Sequence, residues 1–169
     1  MNSYKTLFED TRARLQSGDA KNPIVVSVSS QSTGDFRSKV SIREFDVIID
    51  QPKGFGGSNS GPKPSEIALA ALAACQEITY RLFADALSIP LNGVRTELTG
   101  TQDLRGFLGV EDEISAGFQE IRGVVHLDSS ASDADLERLR NTVEQHCPVL
   151  DDLRRPVAVA IEVRPDSNT

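Results

Sequence analysis

The feature that most limits how this chain can fold is a long stretch without helix breakers, at residues 65–87. Pro64 suits the first position of a helix, and the next proline along the chain is Pro90. A stretch of ~23 residues corresponds to a helix of roughly 35 Å. Its first half, within PSEIALAALAAC, is apolar on nearly every side. We therefore expect this helix to lie at the centre of the molecule rather than on its surface.

The segments on either side of this helix carry mainly strand patterns. Runs rich in β-branched residues or with alternating apolar residues occur at 23–33, 36–50, 94–100, 118–128 and 156–164. Gly34-Asp35 predicts a hairpin turn between the first two runs, and a phase slip near Glu44 predicts a β-bulge in the second. The glycine-rich segments 51–63 and 103–117 are interpreted as loops, the first of them a flexible connection into the long helix.

A second main helix is expected after Ser132, which forms a relative of the capping box with Asp135. A short amphipathic helix is expected at residues 3–16. The resulting order is β-β-α-β-β-α-β with a small helix in front, which favours an α+β fold with a mainly antiparallel sheet. We divide the chain into an N-terminal helix and connector, residues 1–22, and a single domain, residues 23–169.

Composition and charge exclude several classes of function. A net charge of −7 argues against nucleic acid or anionic lipid as the main partner. No run of about 18 apolar residues is present, so no membrane span is expected. The first 16 residues contain acids and no apolar core segment, so no secretory signal is expected. Two cysteines in such a chain indicate a cytoplasmic protein with reduced thiols.

The two cysteines are the candidate reactive groups. Cys75 lies in the long helix, where helix geometry turns it inward with Leu72, Ile78 and Thr79. Cys147 ends the second helix, on the same apolar stripe as Leu139 and Val143. If both helices pack on one sheet, the two thiols could meet. A facing pair supports a redox cycle in which one thiolate is oxidised to a sulfenic acid and the other resolves it as a disulfide.

Other interpretations of the cysteines stay open at this point. Free cysteines are among the most buried residue types, so core packing alone would explain both positions. A metal site would have to use His126 and His146 as well, but the four side chains lack CxxC or HxxxH spacing. A serine hydrolase is disfavoured because the chain has no G-x-S-x-G motif.

Two segments resemble the signatures of the OsmC/Ohr family, the osmotically inducible and organic hydroperoxide resistance proteins. GGSNSGPKPSEIALAALAAC resembles the first signature, a glycine-rich turn followed by an alanine-rich helix that ends at a cysteine. QHCPVLDDL is similar to the second, with Cys-Pro-Val at the end of the later helix. The likeness covers residues 23–165, and the order of elements agrees with it.

The resemblance implies a specific fold and activity. Family members are intertwined homodimers in which sheets wrap two long central helices, with active sites at the subunit interface. The better known members are thiol peroxidases that reduce organic hydroperoxides to alcohols. Cys75 would be the peroxidatic thiol and Cys147 the resolving thiol. The reductant would be a dithiol, often protein-bound lipoyl, and no metal or flavin would be needed.

Two positions depart from the family pattern. Peroxidase members carry a glutamate ten residues before the first cysteine, which helps to orient an arginine over the thiolate, but this chain has Ser65 there. Glu66 lies one residue later, on the helix face opposite Cys75, and is interpreted as a favourable first-turn acid. The activating arginine has no clear match.

The candidates for this cation are Arg37, Arg43 and Lys53.

From the resemblance and the composition together, we expect a cytoplasmic, homodimeric reductase of organic hydroperoxides that acts in oxidative-stress defence. The alternative is a non-enzymatic protein of the same fold, which senses redox state or binds a small apolar or thiol-bearing ligand.

Overall fold

The computed structural model describes residues 4–19 and 23–165. Its helices are α1 (Tyr4–Ser17), α2 (Pro64–Ala86), α3 (Leu104–Phe107), α4 (Asp133–His146) and α5 (Pro148–Arg154). Its strands are β1 (Ser29–Gly34), β2 (Arg37–Ile42), β3 (Phe45–Ile49), β4 (Gly93–Gln102) and β5 (Phe118–Asp128). They form two antiparallel sheets, β1-β2-β3 and β4-β5. The expected α+β class is confirmed. Of the connector expected at 18–22, residues 20–22 lie outside the described residues.

The long helix is present, with each end one residue earlier than the predicted 65–87, and it packs against α1, β4, α4 and α5. Its first turn is closed by the Glu66 carboxylate, which accepts a hydrogen bond from the Lys63 backbone N–H at 2.9 Å. This contact fits the interpretation of Glu66 as a first-turn acid. By length and composition α2 also passes as a membrane span, as the core helices of soluble proteins do.

The core of the chain lies where the second half of α2 meets α4. Tyr80 and Ala84 of α2 pack there against Leu139 and Val143 of α4 and against Cys147, and the last three are fully buried. Burying one such aliphatic side chain stabilises the fold by about 1.5–3 kcal/mol. The first half of α2 behaves differently. Before Leu72 its residues are exposed or half-buried, so central burial of the whole helix is not found within one chain.

The predicted strand at 156–164 and the first half of the one at 23–33 are not strands within the single chain, whereas the second half of 23–33 forms β1. Residues 24–28 and 156–164 have no regular secondary structure and no hydrogen-bonded partner strand among the described residues. Their apolar side chains face solvent: Val25 is 91% exposed and Ile161 is 86% exposed. These segments can form the predicted strands only if a partner strand is available. An isolated strand leaves its backbone hydrogen-bonding groups unpaired and its apolar face uncovered.

The turns of the first sheet also differ in detail from the prediction. Gly34 pairs with Arg37, so the first hairpin loop is Asp35–Phe36, one residue later than expected. The phase slip at Glu44 is a second hairpin turn and not a bulge. Ile42 pairs with Phe45, and Arg43 takes a left-handed backbone conformation with φ 53°.

The glycine-rich loop at 51–63 is ordered around Asp50, which corrects the prediction of a flexible connection. The Asp50 carboxylate is 1% exposed and accepts hydrogen bonds from the backbone N–H and hydroxyl groups of both Ser58 and Ser60, at 2.6–3.1 Å. It also accepts one from the Gln51 N–H at 2.7 Å. These donors, the Ser58 hydroxyl foremost, hold the pKa of Asp50 well below its usual range. A carboxylate therefore fixes the loop that leads into α2.

We expect Asp50→Asn to increase amide hydrogen exchange at Ser58 and Ser60, because the amide group cannot accept all of these hydrogen bonds. A lowered pKa means that the contribution of Asp50 is present above the ordinary aspartate pKa and is lost only as the pH falls through the lowered value. Wild-type protection should therefore persist into mildly acidic solution. The control is Asp46→Asn, which makes the same substitution at an exposed carboxylate on β3. Unchanged exchange at the two serines in Asp50→Asn would contradict the assignment.

Candidate active site

The structure brings the two thiols together. The Sγ atoms of Cys75 and Cys147 are 3.3 Å apart, and both residues are free cysteines. A disulfide bond is about 2.05 Å long, so oxidation of the two thiols to a disulfide would require only a small approach of the sulfurs. The Cys147 S–H is the donor in this contact, and the Cys75 sulfur is the acceptor.

The position of Cys147 depends on the junction between two helices. The Cys147 N–H donates to the Val143 carbonyl at 2.9 Å, which ends α4, and the Cys147 carbonyl accepts from the Asp151 N–H at 3.0 Å, which begins α5. Pro148 occupies the first position of α5, where its missing N–H is not needed. Sequence reasoning placed Cys147 in the last turn of one helix and treated Pro148 only as a stop, so it missed α5.

Burial separates the chemistry of the two thiols. Cys147 is completely buried, and this burial raises its pKa, with a smaller opposing effect from the Leu150 N–H. The folded state therefore holds the thiol proton of Cys147 more tightly than the unfolded chain does. The protonated thiol contributes fully to the free energy of unfolding below the ordinary cysteine pKa, and this contribution is lost as the pH rises through the raised value. Cys75 is only half-buried. Cys75 is therefore the thiol that a solute reaches first.

The surroundings of Cys75 on α2 agree in part with the helix geometry. Leu72 and Thr79 are buried beside it, but Ile78, which was also expected to point inward, is exposed. The Thr79 hydroxyl donates to the Cys75 carbonyl at 2.7 Å. The same hydroxyl lowers the pKa of Cys147, by less than burial raises it.

The three candidate cations are not at the thiols of their own chain. The Arg37 guanidinium donates to Thr33. Arg43 lies over the Phe45 ring, 5.1 Å from its centroid. Lys53 is in the short 3₁₀ helix at Lys53–Phe55. Within residues 4–19 and 23–165, no basic side chain forms a hydrogen bond to either sulfur.

The two histidines lie on different elements and have different partners. His126 on β5 pairs with Glu97, with the Nε2 and Oε2 atoms 3.7 Å apart. His146 stacks on the Phe83 ring. Neither contributes to a metal-ligand cluster in the part of the chain that the structure describes.

A groove of about 810 Å³ lies between α2, strands β4 and β5, and the helices α4 and α5. Gln76, the residue after Cys75, lines it together with Tyr80, and Arg140 and Arg154 line it from α4 and α5; neither cysteine is among its lining residues. Burial raises the pKa of Tyr80, so its hydroxyl stays protonated. Sequence reasoning did not find this groove. The only signal was the i, i+4, i+8 spacing of Leu72, Gln76 and Tyr80 on one face of α2.

The chain is similar to known proteins in sequence and in fold. A family model described as OsmC-like protein matches residues 57–162. No curated protein resembles the chain closely enough to count as a match.

Among solved structures, an OsmC-like protein from Mycoplasma pneumoniae is 23% identical, with a TM-score of 0.67, over 78% of this chain and 88% of that one. An organic hydroperoxide resistance protein OsmC from Legionella pneumophila is 18% identical, with a TM-score of 0.61, over 79% and 92% of the two chains. The organic hydroperoxide resistance protein OhrB of Bacillus subtilis is 18% identical, with a TM-score of 0.52, over 83% and 98%. At these identities the likeness concerns the fold.

Proposed function

Since the chain belongs to the OsmC-like protein family, we propose that it reduces organic hydroperoxides with a pair of cysteine thiols. The observation that carries this proposal is the 3.3 Å separation of the Cys75 and Cys147 sulfurs. Two of the structures that share its fold are named organic hydroperoxide resistance proteins, which supports the choice of substrate class.

The proposed reaction proceeds in two steps at the pair. The Cys75 thiolate attacks the terminal oxygen of the hydroperoxide, the O–O bond breaks, and the alkoxide leaves and takes up a proton to become an alcohol. Cys75 is thereby oxidised by two electrons to a sulfenic acid. The Cys147 sulfur then attacks the Cys75 sulfur and forms the disulfide. The hydroxyl of the sulfenic acid leaves as water with the proton of Cys147.

The order of the two thiols follows from their exposure and protonation. Cys75 is half-buried, so a hydroperoxide can reach it, whereas Cys147 is fully buried. Burial also keeps Cys147 protonated at neutral pH, and the thiolate is the nucleophilic form. We therefore assign Cys75 as the peroxidatic thiol and Cys147 as the resolving thiol. An external dithiol, of which a lipoyl group is one example, would reduce the disulfide by exchange and become a disulfide itself.

We further propose that the working form is a cytoplasmic homodimer. Among the described residues, the segments at 24–28 and 156–164 have strand patterns but no partner strand, and the first half of α2 is apolar but only partly covered. The sheet β1-β2-β3 contributes no residue to the buried core of its own chain. A second copy would cover all three surfaces. It would also allow Arg37, Arg43 or Lys53 of one chain to approach Cys75 of the other.

Turnover of cumene hydroperoxide with a dithiol reductant tests the proposal. We expect alcohol production that continues while dithiol is present. In its absence we expect one equivalent of hydroperoxide to convert both thiols to a single disulfide. Hydrogen peroxide should react more slowly, because it has no apolar part to bury against the apolar side chains that pack around Cys75. A protein that keeps both thiols in an excess of cumene hydroperoxide would refute the proposal.

One observation favours a second candidate function, a redox sensor without turnover. No basic side chain of the described residues forms a hydrogen bond to Cys75 within one chain, whereas reactive cysteines usually have such a group beside them. A sensor would form the disulfide once and would not be reduced by the dithiol on the time scale of catalysis. The turnover assay distinguishes the two, because a sensor would consume one equivalent of hydroperoxide and then stop.

A further inference from the structure

Helix α1 is connected to the thiol pair through a row of three aromatic rings. Phe8 of α1 contacts Phe83 of α2 edge to face, with ring centroids 5.5 Å apart and an interplanar angle of 67°. Phe83 in turn stacks on His146 of α4, with centroids 5.2 Å apart and an angle of 25°. His146 directly precedes Cys147. The row therefore runs from the N-terminal helix to the residue next to the buried thiol.

A second set of contacts fixes α1 at the end of α2. The backbone N–H of Lys5 donates to Oδ2 of Asp85 at 2.6 Å, and the Lys5 ammonium donates to the Ser88 hydroxyl at 2.8 Å. A helix of 14 residues has little stability of its own in water. The formation of α1 and its position therefore depend on the contacts with α2.

We propose that α1 is a positioning element for the thiol pair, in which Phe8 holds Phe83 and His146 and thereby keeps Cys147 close to Cys75. Docked α1 narrows the range of positions open to the α4–α5 junction in the reduced protein. This raises the effective concentration of the Cys147 sulfur at Cys75. The inference rests on the proposed function in one respect only, that the pair forms a disulfide.

The free energy of the lost contact sets the largest effect that Phe8→Ala can have on the equilibrium, because the dithiol form already makes this contact. An edge-to-face aromatic pair supplies enough free energy to change an equilibrium constant by about two- to tenfold. The coupling is reciprocal, because a docked helix that favours the disulfide must be favoured by the disulfide to the same degree. Oxidation should therefore tighten the docking of α1.

The experiment is to equilibrate the full-length protein in mixtures of glutathione and glutathione disulfide and to measure the fraction with a Cys75–Cys147 disulfide. Glutathione disulfide accepts the two electrons and the two thiol protons and yields two molecules of glutathione. We expect Phe8→Ala to lower the equilibrium constant about two- to tenfold. Leu15→Ala is the matched control, an exposed apolar residue on the same helix. It should match the wild type, and Phe8→Tyr, which keeps the ring, should restore the wild-type value.

Two further measurements separate positioning from a general loss of stability. Asp85→Asn weakens the other anchor of α1 without touching the aromatic row, and it should shift the constant in the same direction as Phe8→Ala. In the wild type, the α1 amides should exchange more slowly in the disulfide form than in the dithiol form. The inference is overturned if Phe8→Ala gives the wild-type constant, or if α1 exchanges equally in both redox states. A wild type that forms no disulfide in any mixture would overturn the proposed function as well.

Discussion

Replacing Cys75 by serine is expected to lower the rate of hydroperoxide reduction by about 10³-fold or more, because a hydroxyl without an activating base is a far weaker nucleophile than a thiolate. The loss should appear in the first turnover and not only in the steady state. Stopped-flow measurement of cumene hydroperoxide consumption, without reductant, would detect it. The fold should be unaffected, since Cys75 is only half-buried and serine is similar in size.

Cys147→Ser is the matched variant, and it should behave differently. Cys75 should still be oxidised in the first step, but its sulfenic acid should accumulate because no second thiol lies 3.3 Å away to resolve it. Trapping with dimedone, which labels sulfenic acids, should therefore mark Cys75 in this variant and much less in the wild type. Equal turnover by the wild type and Cys75→Ser would end the peroxidase proposal. Labelling of Cys147 in Cys75→Ser would reverse the assigned roles.

Replacing Ile161 by aspartate is expected to dissociate the proposed homodimer. Ile161 is 86% exposed in the single chain, on the face that Val157, Val159 and Val163 would share in a strand. If a second copy covers this face, the substitution removes a buried apolar side chain and places a carboxylate there. Together these effects should raise the dissociation constant by about 10³-fold or more. Sedimentation velocity should show twice the mass of the chain for the wild type and the mass of one chain for the variant.

Ala160→Asp provides the control for this substitution. It adds the same charge one residue earlier, where a strand would point the side chain to the opposite face. It should leave the dimer intact and should retain most of the activity. Dissociation of both variants would show that added charge, rather than the covered face, breaks the assembly. A wild type that sediments as a single chain would refute the homodimer.

The helices at the thiols could be predicted because their signals are local. Pro64 and Pro90 bound α2, and the spacing of Leu139, Val143 and Cys147 identified the buried stripe that ends at α4. The same local reasoning failed where one residue serves two elements. Pro148 ends α4 and begins α5, and a proline was interpreted only as a stop. Sequence patterns report where an element can end more reliably than whether another begins there.

The second hairpin turn and the lack of partner strands could not be predicted, for different physical reasons. The Arg43–Glu44 turn contains none of the residues that usually mark a hairpin, and the pairing of Ile42 with Phe45 forces it. The segments at 24–28 and 156–164 have clear strand patterns, but a pattern shows only that a residue run suits a sheet. Whether a partner strand exists depends on the whole assembly.

Only the identity of the reactive side chains of the site could be predicted from the sequence. The two cysteines stood out by rarity and helical position, and the structure brings their sulfurs together. The groove that Gln76 lines and the contact of Phe8 with Phe83 arise from the packing of distant segments, which no local spacing encodes. The same holds for the order that Asp50 imposes on the glycine-rich loop.

The uncovered segments make the newly synthesised chain prone to aggregation. IVVSV at 24–28 and VAVAIEV at 157–163 combine high β propensity with little charge and no proline, which is the composition of segments that nucleate aggregates. A newly made chain presents both to solvent until something pairs with them. The yield of folded protein in a cell should therefore fall when synthesis is slow, because new chains then take longer to reach the concentration at which they pair. The yield should rise with chaperones that hold extended apolar segments.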